Sequence, residues 1–415
     1  MVHSIVLWLA IVFGFTMACG IGANDVSNAM GTSVGSKAIT IRQAIIIASI
    51  FEFLGALFVG SEVTTTIREN LINPNLFDVE KDYFILGMLS SLLAAGTWLL
   101  AASFFGWPVS TTHTIVGGIV GFGCIVLGVH NVQWVNVFPI IISWCLSPFL
   151  GAIIAFCLFM SAQHLIFSHK HPLYAAKKII PVYILLTSWI IFMIICSKLY
   201  HLGIKLTLLQ TFYSASVLSI ISTLIGKIII NNLHFKTNDD RQFDFTNVEK
   251  IFSILMVFTA CIMAFAHGSN DVANAIGPVA AVVCTTQNIN PGNSPIVPTW
   301  VLFIGATGIV IGLALYGHKV IETVGSKITH LTPSRGFSAT LASATTVVFA
   351  SSTGLPISTT HTLVGGILGV GLARGIHALN LNVIKTIFIS WLITLPAGAF
   401  LSIIFFYMLK FFLLN

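Results

Sequence analysis

Two acidic residues, Asp25 and Asp271, stand in nearly the same ten-residue context, Gly22–Gly31 and Gly268–Gly277. Each has Asn immediately before it (Asn24, Asn270) and Asn three residues after it (Asn28, Asn274). Asn24 and Asn28 are four apart and share a helix face. Both aspartates lie at the ends of apolar runs, where an ionised carboxylate is costly unless something balances it. A single copy could be a helix cap at a membrane interface. Two copies in one chain point instead to one shared site for a cation or proton. A third carboxylate, Glu52, sits inside an apolar run and is a functional candidate by default.

A second pair of motifs offers complementary chemistry. Pro108-Val109-Ser110-Thr111-Thr112-His113 matches Pro356-Ile357-Ser358-Thr359-Thr360-His361. Proline ends one helix, and the hydroxyls then cap the free N–H groups that open the next. A helix N-terminus of this kind favours an oxyanion. Ser110, Thr111, Thr112, Ser358, Thr359 and Thr360 together suit a small tetrahedral anion whose oxygens all need donors. Asp25 and Asp271 would repel that anion, so a cation or proton must stand between them. His113 and His361 are read as packing or hydrogen-bonding residues.

These groups must be positioned by membrane elements. The chain has 415 residues, 56% hydrophobic and 8% charged, against about 25% charged in soluble domains. Apolar runs fall near residues 4–23, 40–60, 84–105, 114–129, 135–160, 179–197, 207–230, 251–268, 299–317, 337–353, 362–376 and 383–411. The expectation is an all-α polytopic membrane protein with about 12 hydrophobic segments. The runs 114–129 and 362–376 are short for a span and read as halves of re-entrant helical hairpins. The stretch Ile5–Ala18 before Cys19 resembles a signal peptide, but Ala18–Gly31 recurs in mid-chain, so it reads as a membrane helix. The seven Cys form no CxxC pair, and neither a disulfide framework nor a metal–thiolate site is expected. The net charge of +6 has no aromatic-interleaved basic cluster behind it, and no nucleic-acid partner is expected.

The motif pairs, with Ser143-Trp144 and Ser390-Trp391, recur at an offset of 246 to 248 residues. An odd number of segments separates the copies. The repeats should therefore be inverted, as in many secondary transporters, with their two hairpins meeting at the midplane. The expected organisation is a first repeat over 1–164, connecting helices and a cytoplasmic linker over 165–250, and a second repeat over 251–415. The loop Asn231–Lys250 reads as that linker. Of the 19 Lys and Arg, 14 fall on one side and 5 on the other. The richer side should be cytoplasmic, which puts both termini outside.

The paired Asn-Asp-Val and Pro-x-Ser-Thr-Thr-His motifs resemble those of the inorganic phosphate transporter (PiT) family, over nearly the whole chain outside residues 165–245. The resemblance implies a symporter, not an enzyme, that carries phosphate with Na⁺ or H⁺ and has no cofactor. It implies outward-facing termini, two re-entrant hairpins and often a homodimer. Carried over by position, it makes Ser110, Thr111, Thr112, Ser358, Thr359 and Thr360 phosphate ligands. It makes Asn24, Asp25, Asn270 and Asp271 cation ligands, with Asn28, Asn274 and Glu52 beside them. Asp25 and Asp271 would be the Na⁺ ligands if Na⁺ is the coupling ion. Some relatives carry sulfate, which is the alternative cargo. Many relatives have Glu where this chain has Thr340. The absence of a long hydrophilic central domain points to a bacterial cytoplasmic membrane.

Overall fold

The computed structural model describes residues 2–69, 71–72, 81–198, 205–233, 241–287 and 297–414. Lipid offers no partner to backbone N–H and C=O groups, so apolar runs of this length must form helices. The described residues do so, with one isolated bridge between Ile72 and Val132. In order the helices are α1 (Val2–Ile21), α2 (Ser27–Gly35), α3 (Ile41–Val59), α4 (Ser61–Glu69) and α5 (Lys81–Phe105). They continue as α6 (Thr111–Val126), α7 (Trp134–Ala162), α8 (Pro172–Lys198), α9 (Leu208–Asn231) and α10 (Arg241–Thr286). The last five are α11 (Thr299–Tyr316), α12 (His318–Glu322), α13 (Pro333–Ser352), α14 (Thr359–Arg374) and α15 (Leu381–Leu414).

Every one of the twelve apolar runs falls on a helix. Nine segments of the described residues are long and apolar enough to cross a membrane. The helix α6, from the run read as a hairpin half, is apolar but shorter than a span. In the most apolar windows of α5 and α10, 72% of residues are buried, against 17% in α9. Helices α5 and α10 therefore form the centre, and α9 lies at the rim beside α8.

Two boundaries differ from the reading of the sequence. Residues 241–250 were expected in the linker but form the first turns of α10, so the division at 250/251 falls inside a helix. Hydropathy marks where a helix enters lipid, and a polar turn such as the one holding Asp244 and Glu249 extends the helix beyond that point. Of the linker, residues 234–240 lie outside the described residues. The first apolar run likewise does not stop at residue 23. Five residues in π conformation, Gly22–Val26, join α1 to α2. That wider turn re-aims Asn24 and Asp25, a device common at functional sites.

The two copies of the repeat exchange partners. Helix α6 packs on α15, and its counterpart α14 packs on α7. Helix α1 packs on α5 and α11, while α10 packs on α13 and α3. Glycine makes the closest of these approaches possible. A Cβ on Gly22 would overlap the Ile309 carbonyl, and one on Gly268 would overlap the Glu52 carbonyl. Gly312 faces the Cys19 carbonyl just as Gly55 faces that of Phe265. These contacts match α3 to α11 residue for residue.

Candidate ion-binding site

Thr111 and Thr359 begin α6 and α14, and the serines before them are N-caps. Ser110 Oγ accepts from the His113 N–H (3.3 Å), and Ser358 Oγ accepts from the His361 N–H (3.2 Å). Capping fixes the serines and leaves the following threonines to project ahead of each helix. All six hydroxyl residues are buried.

The Asn-Asp-Val segments meet these helix starts. Asn24 donates to the Trp107 carbonyl (2.9 Å) and to Ser103 Oγ (3.2 Å), and it accepts from the Val109 N–H (3.1 Å). Asn270 lies 3.0 Å from Ser351 Oγ and 3.4 Å from the Leu355 carbonyl, the matching partners in the second copy. These two amides therefore clamp each helix break to its own turn.

Asp25 accepts from the Thr111 hydroxyl and its N–H at Oδ2, and from Thr360 Oγ1 (2.8 Å) at Oδ1. It thus joins hydroxyls of both copies. Asp271 accepts from Thr359 Oγ1 (2.6 Å). Crosswise, Asn28 donates to Thr360 (2.9 Å), and Asn274 donates to Thr111 and Thr112 (3.3 Å each). Thr112 itself donates to the Ile357 carbonyl (3.1 Å). Residues 162 to 335 positions apart in the chain are thus interlaced at one buried centre.

That centre is rich in unspent acceptors. Ligand atoms of Asp25, Asp271 and His267 all lie within 4.8 Å of one another. Asn28 Oδ1, Asn274 Oδ1 and Glu52 Oε1 are buried without a hydrogen-bond partner. Buried lone pairs of this kind call for a partner, and a cation supplies one. Asn28 and Asn274 are accordingly freer to bind a cation than Asn24 and Asn270, whose amides are engaged by the turns.

Glu52 is set apart from the hydroxyls. Its Oε2 lies 2.9 Å from His267 Nδ1, and His267 Nε2 lies 2.7 Å from Asp271 Oδ2. Sequence reasoning passed over His267, as it passed over Ser103 and Ser351. The two serines could have been found, because they recur at the 248-residue offset of the repeat. Thr340 shares a 2.7 Å hydrogen bond with Thr32.

His113 and His361 pack against each other, with ring centroids 4.3 Å apart. His113 lies on Trp144 (3.9 Å) and His361 stacks on Trp391 (3.6 Å). His361 Nδ1 also reaches the Trp144 carbonyl at 3.4 Å. The repeated tryptophans thus seat the two histidines, while Ser143 and Ser390 donate to carbonyls of their own helices.

The profile described as the phosphate transporter family matches residues 21–402. A Haemophilus influenzae protein provisionally named a phosphate permease is 51% identical over 416 residues, covering 98% of this chain and 97% of that one. The chloroplastic inorganic phosphate transporter 2-1 of Arabidopsis thaliana is 42% identical over 417 residues, covering 96% of this chain and 71% of its own length. A solved structure described as the sodium-dependent phosphate transporter superposes with a TM-score of 0.90. It is 40% identical, and the match covers 98% of this chain and 99% of that one.

Proposed function

The chain belongs to the phosphate transporter family, and from that premise we propose that it imports inorganic phosphate together with a cation by alternating access. It is a multi-pass membrane transporter rather than an enzyme. One observation carries the finer reading. The carboxylates and hydroxyls of both motif pairs interlace at a single buried centre, through Asp25 with Thr360 and Asp271 with Thr359.

In this reading α5–α6 and α13–α14 are re-entrant hairpins of two inverted repeats. Once cations take the carboxylate oxygens and release the threonine hydroxyls that now donate to them, phosphate oxygens accept from Ser110, Thr111, Thr112, Ser358, Thr359 and Thr360 and from N–H groups at the starts of α6 and α14. Asp25 and Asp271, with the free oxygens of Asn28 and Asn274, hold cations between themselves and the anion. Na⁺ is favoured as the coupling ion because neutral amide oxygens suit a metal ion and a proton does not need them. The name of the solved neighbour supports the same choice. Each cation screens the carboxylates from the phosphate, so phosphate binds poorly until a cation is in place. An empty site with two unscreened carboxylates resists closing, which couples the movement of the two solutes.

Uptake of radiolabelled phosphate into liposomes holding the purified protein tests the substrate. Accumulation above protein-free liposomes is expected, with arsenate competing and sulfate competing at least tenfold less well. Equal competition by sulfate would overturn the assignment to phosphate.

The charge asymmetry further supports an orientation with both termini outside. A cysteine at Asn415, in a variant lacking the seven native cysteines, should react with a membrane-impermeant maleimide on intact cells. One at Asp240 should react only after the cells are opened. Both positions lie outside the described residues, and the opposite labelling pattern would invert the orientation.

A further inference from the structure

Asp25 and Asp271 hold matched places in the repeat, but their surroundings do not match. His267 precedes Asp271 by four residues, one helical turn. It lies between two carboxylates, Glu52 Oε2 at 2.9 Å and Asp271 Oδ2 at 2.7 Å. The contact to Asp271 is close but off the line of a well-directed N–H···O bond. All three residues are buried. The residue four before Asp25 is Ile21. Helix packing also identifies the counterpart of Glu52. Gly268 faces the Glu52 carbonyl and its twin Gly22 faces the Ile309 carbonyl, so Ile309 stands in the first half where Glu52 stands in the second. Both isoleucines are buried.

The chain thus carries its own control. Two isoleucines suffice to pack this helix crossing in one half. A buried carboxylate and imidazole are a costlier way to pack the same crossing. Packing alone does not account for them.

We propose that His267 is a positioning residue: braced by Glu52, it fixes Asp271 and makes the second cation half-site the tighter of the two. The proposal rests on the reading of Asp25 and Asp271 as cation ligands. Asp25 is held only by hydroxyl and N–H groups of α6 and α14, from Thr111 and Thr360. Its site is complete only when both helices are in place. Asp271 has an additional brace on its own helix, and that brace is independent of α6 and α14. Na⁺ then occupies the Asp271 half-site first, before phosphate, and the Asp25 half-site fills as phosphate brings α6 and α14 together.

The test uses the full-length protein in detergent and in liposomes, with NaCl varied against choline chloride at constant ionic strength. Thermal unfolding without phosphate reads the first Na⁺ to bind. In His267→Ile, which installs the residue of the other half, the Na⁺ concentration for half-maximal stabilisation should rise about tenfold or more, as for other residues that orient metal ligands. Half-saturation by phosphate, measured by uptake at saturating Na⁺, should change less than threefold. His267→Gln, which keeps a donor toward Asp271, should recover part of the Na⁺ affinity. An unshifted Na⁺ curve, or equal losses for Na⁺ and phosphate, would overturn the proposal. Should His267→Ile not purify as a monodisperse protein, His267→Gln and His267→Asn decide by the same two curves. A wild-type protein with no Na⁺ response in either assay would overturn the underlying cation-site reading, and this inference with it. A normal wild-type response with unshifted variants would overturn only the inference.

Discussion

Asp25→Asn and Asp271→Asn should each reduce phosphate uptake at least a hundredfold while the protein still reaches the membrane and purifies intact. The substitution keeps shape and removes only charge, so the packing of the π turn and of α10 is retained. What is lost is the reason for a cation to enter. The carboxylates have oxygens within 4.8 Å of each other, and both residues are buried. Two like charges at that distance repel by roughly 3 kcal/mol or more at an effective dielectric near 20. A cation removes this repulsion and gains from both charges at once. An amide offers it one neutral oxygen, and the amide's new N–H donors face the hydroxyls of Thr111 and Thr360 or of Thr359, which already donate to the carboxylates. A loss of about two pK-scale units of interaction, near 2.7 kcal/mol, corresponds to the hundredfold. Uptake by either variant within tenfold of wild type, at equal protein per liposome, would remove that residue from the cation site.

The architecture was legible because lipid leaves a sequence few choices. Each apolar run had to be a helix, and every run became one. The hydroxyl and carboxylate motifs were legible because they occur twice, and duplication separates a functional cluster from a chance cap. Features that occur once were harder to see. His267 lies in an apolar run with no second copy. Its signal was a difference rather than a likeness: aligned on the repeat, it falls opposite Ile21. The role of Asn24 was also beyond the sequence. Asn24 and Asn28 share a helix face in an unbroken α-helix, but the π turn at Gly22–Val26 directs Asn24 to the Trp107–Val109 turn. A π turn is set by tertiary packing, and no local residue pattern announces it. The extension of α10 back to Arg241 escaped for a simpler reason, since its first turns are polar and hydropathy is silent there.

Phosphate accumulation should require a cation gradient or a membrane potential acting through one, and an inward Na⁺ gradient at equal pH should supply it. Near neutral pH inorganic phosphate carries about one to two negative charges. Entry of one negative charge against an inside-negative potential of about 100 mV costs about 2.3 kcal/mol, and a divalent anion faces about twice that. Two monovalent cations cancel the charge of a divalent phosphate, and a third makes uptake electrically favourable. The site offers two matched carboxylates, Asp25 and Asp271. A third carboxylate, Glu52, is braced against His267 and retains an unpartnered Oε1. Thr340 adds no carboxylate, and its hydroxyl is paired with Thr32. On the proposed reading the described residues provide for two cations at the centre, and Glu52 offers a place for a third. In liposomes with no imposed potential, an inward Na⁺ gradient should raise internal phosphate at least tenfold above its equilibrium level. An inward H⁺ gradient without Na⁺ should leave it at equilibrium. If the H⁺ gradient alone drives accumulation, Asp25 and Asp271 are proton carriers, and the free oxygens of Asn28 and Asn274 need another explanation. If phosphate enters but only equilibrates whichever gradient is imposed, coupling is absent and the two buried carboxylates have no transport role.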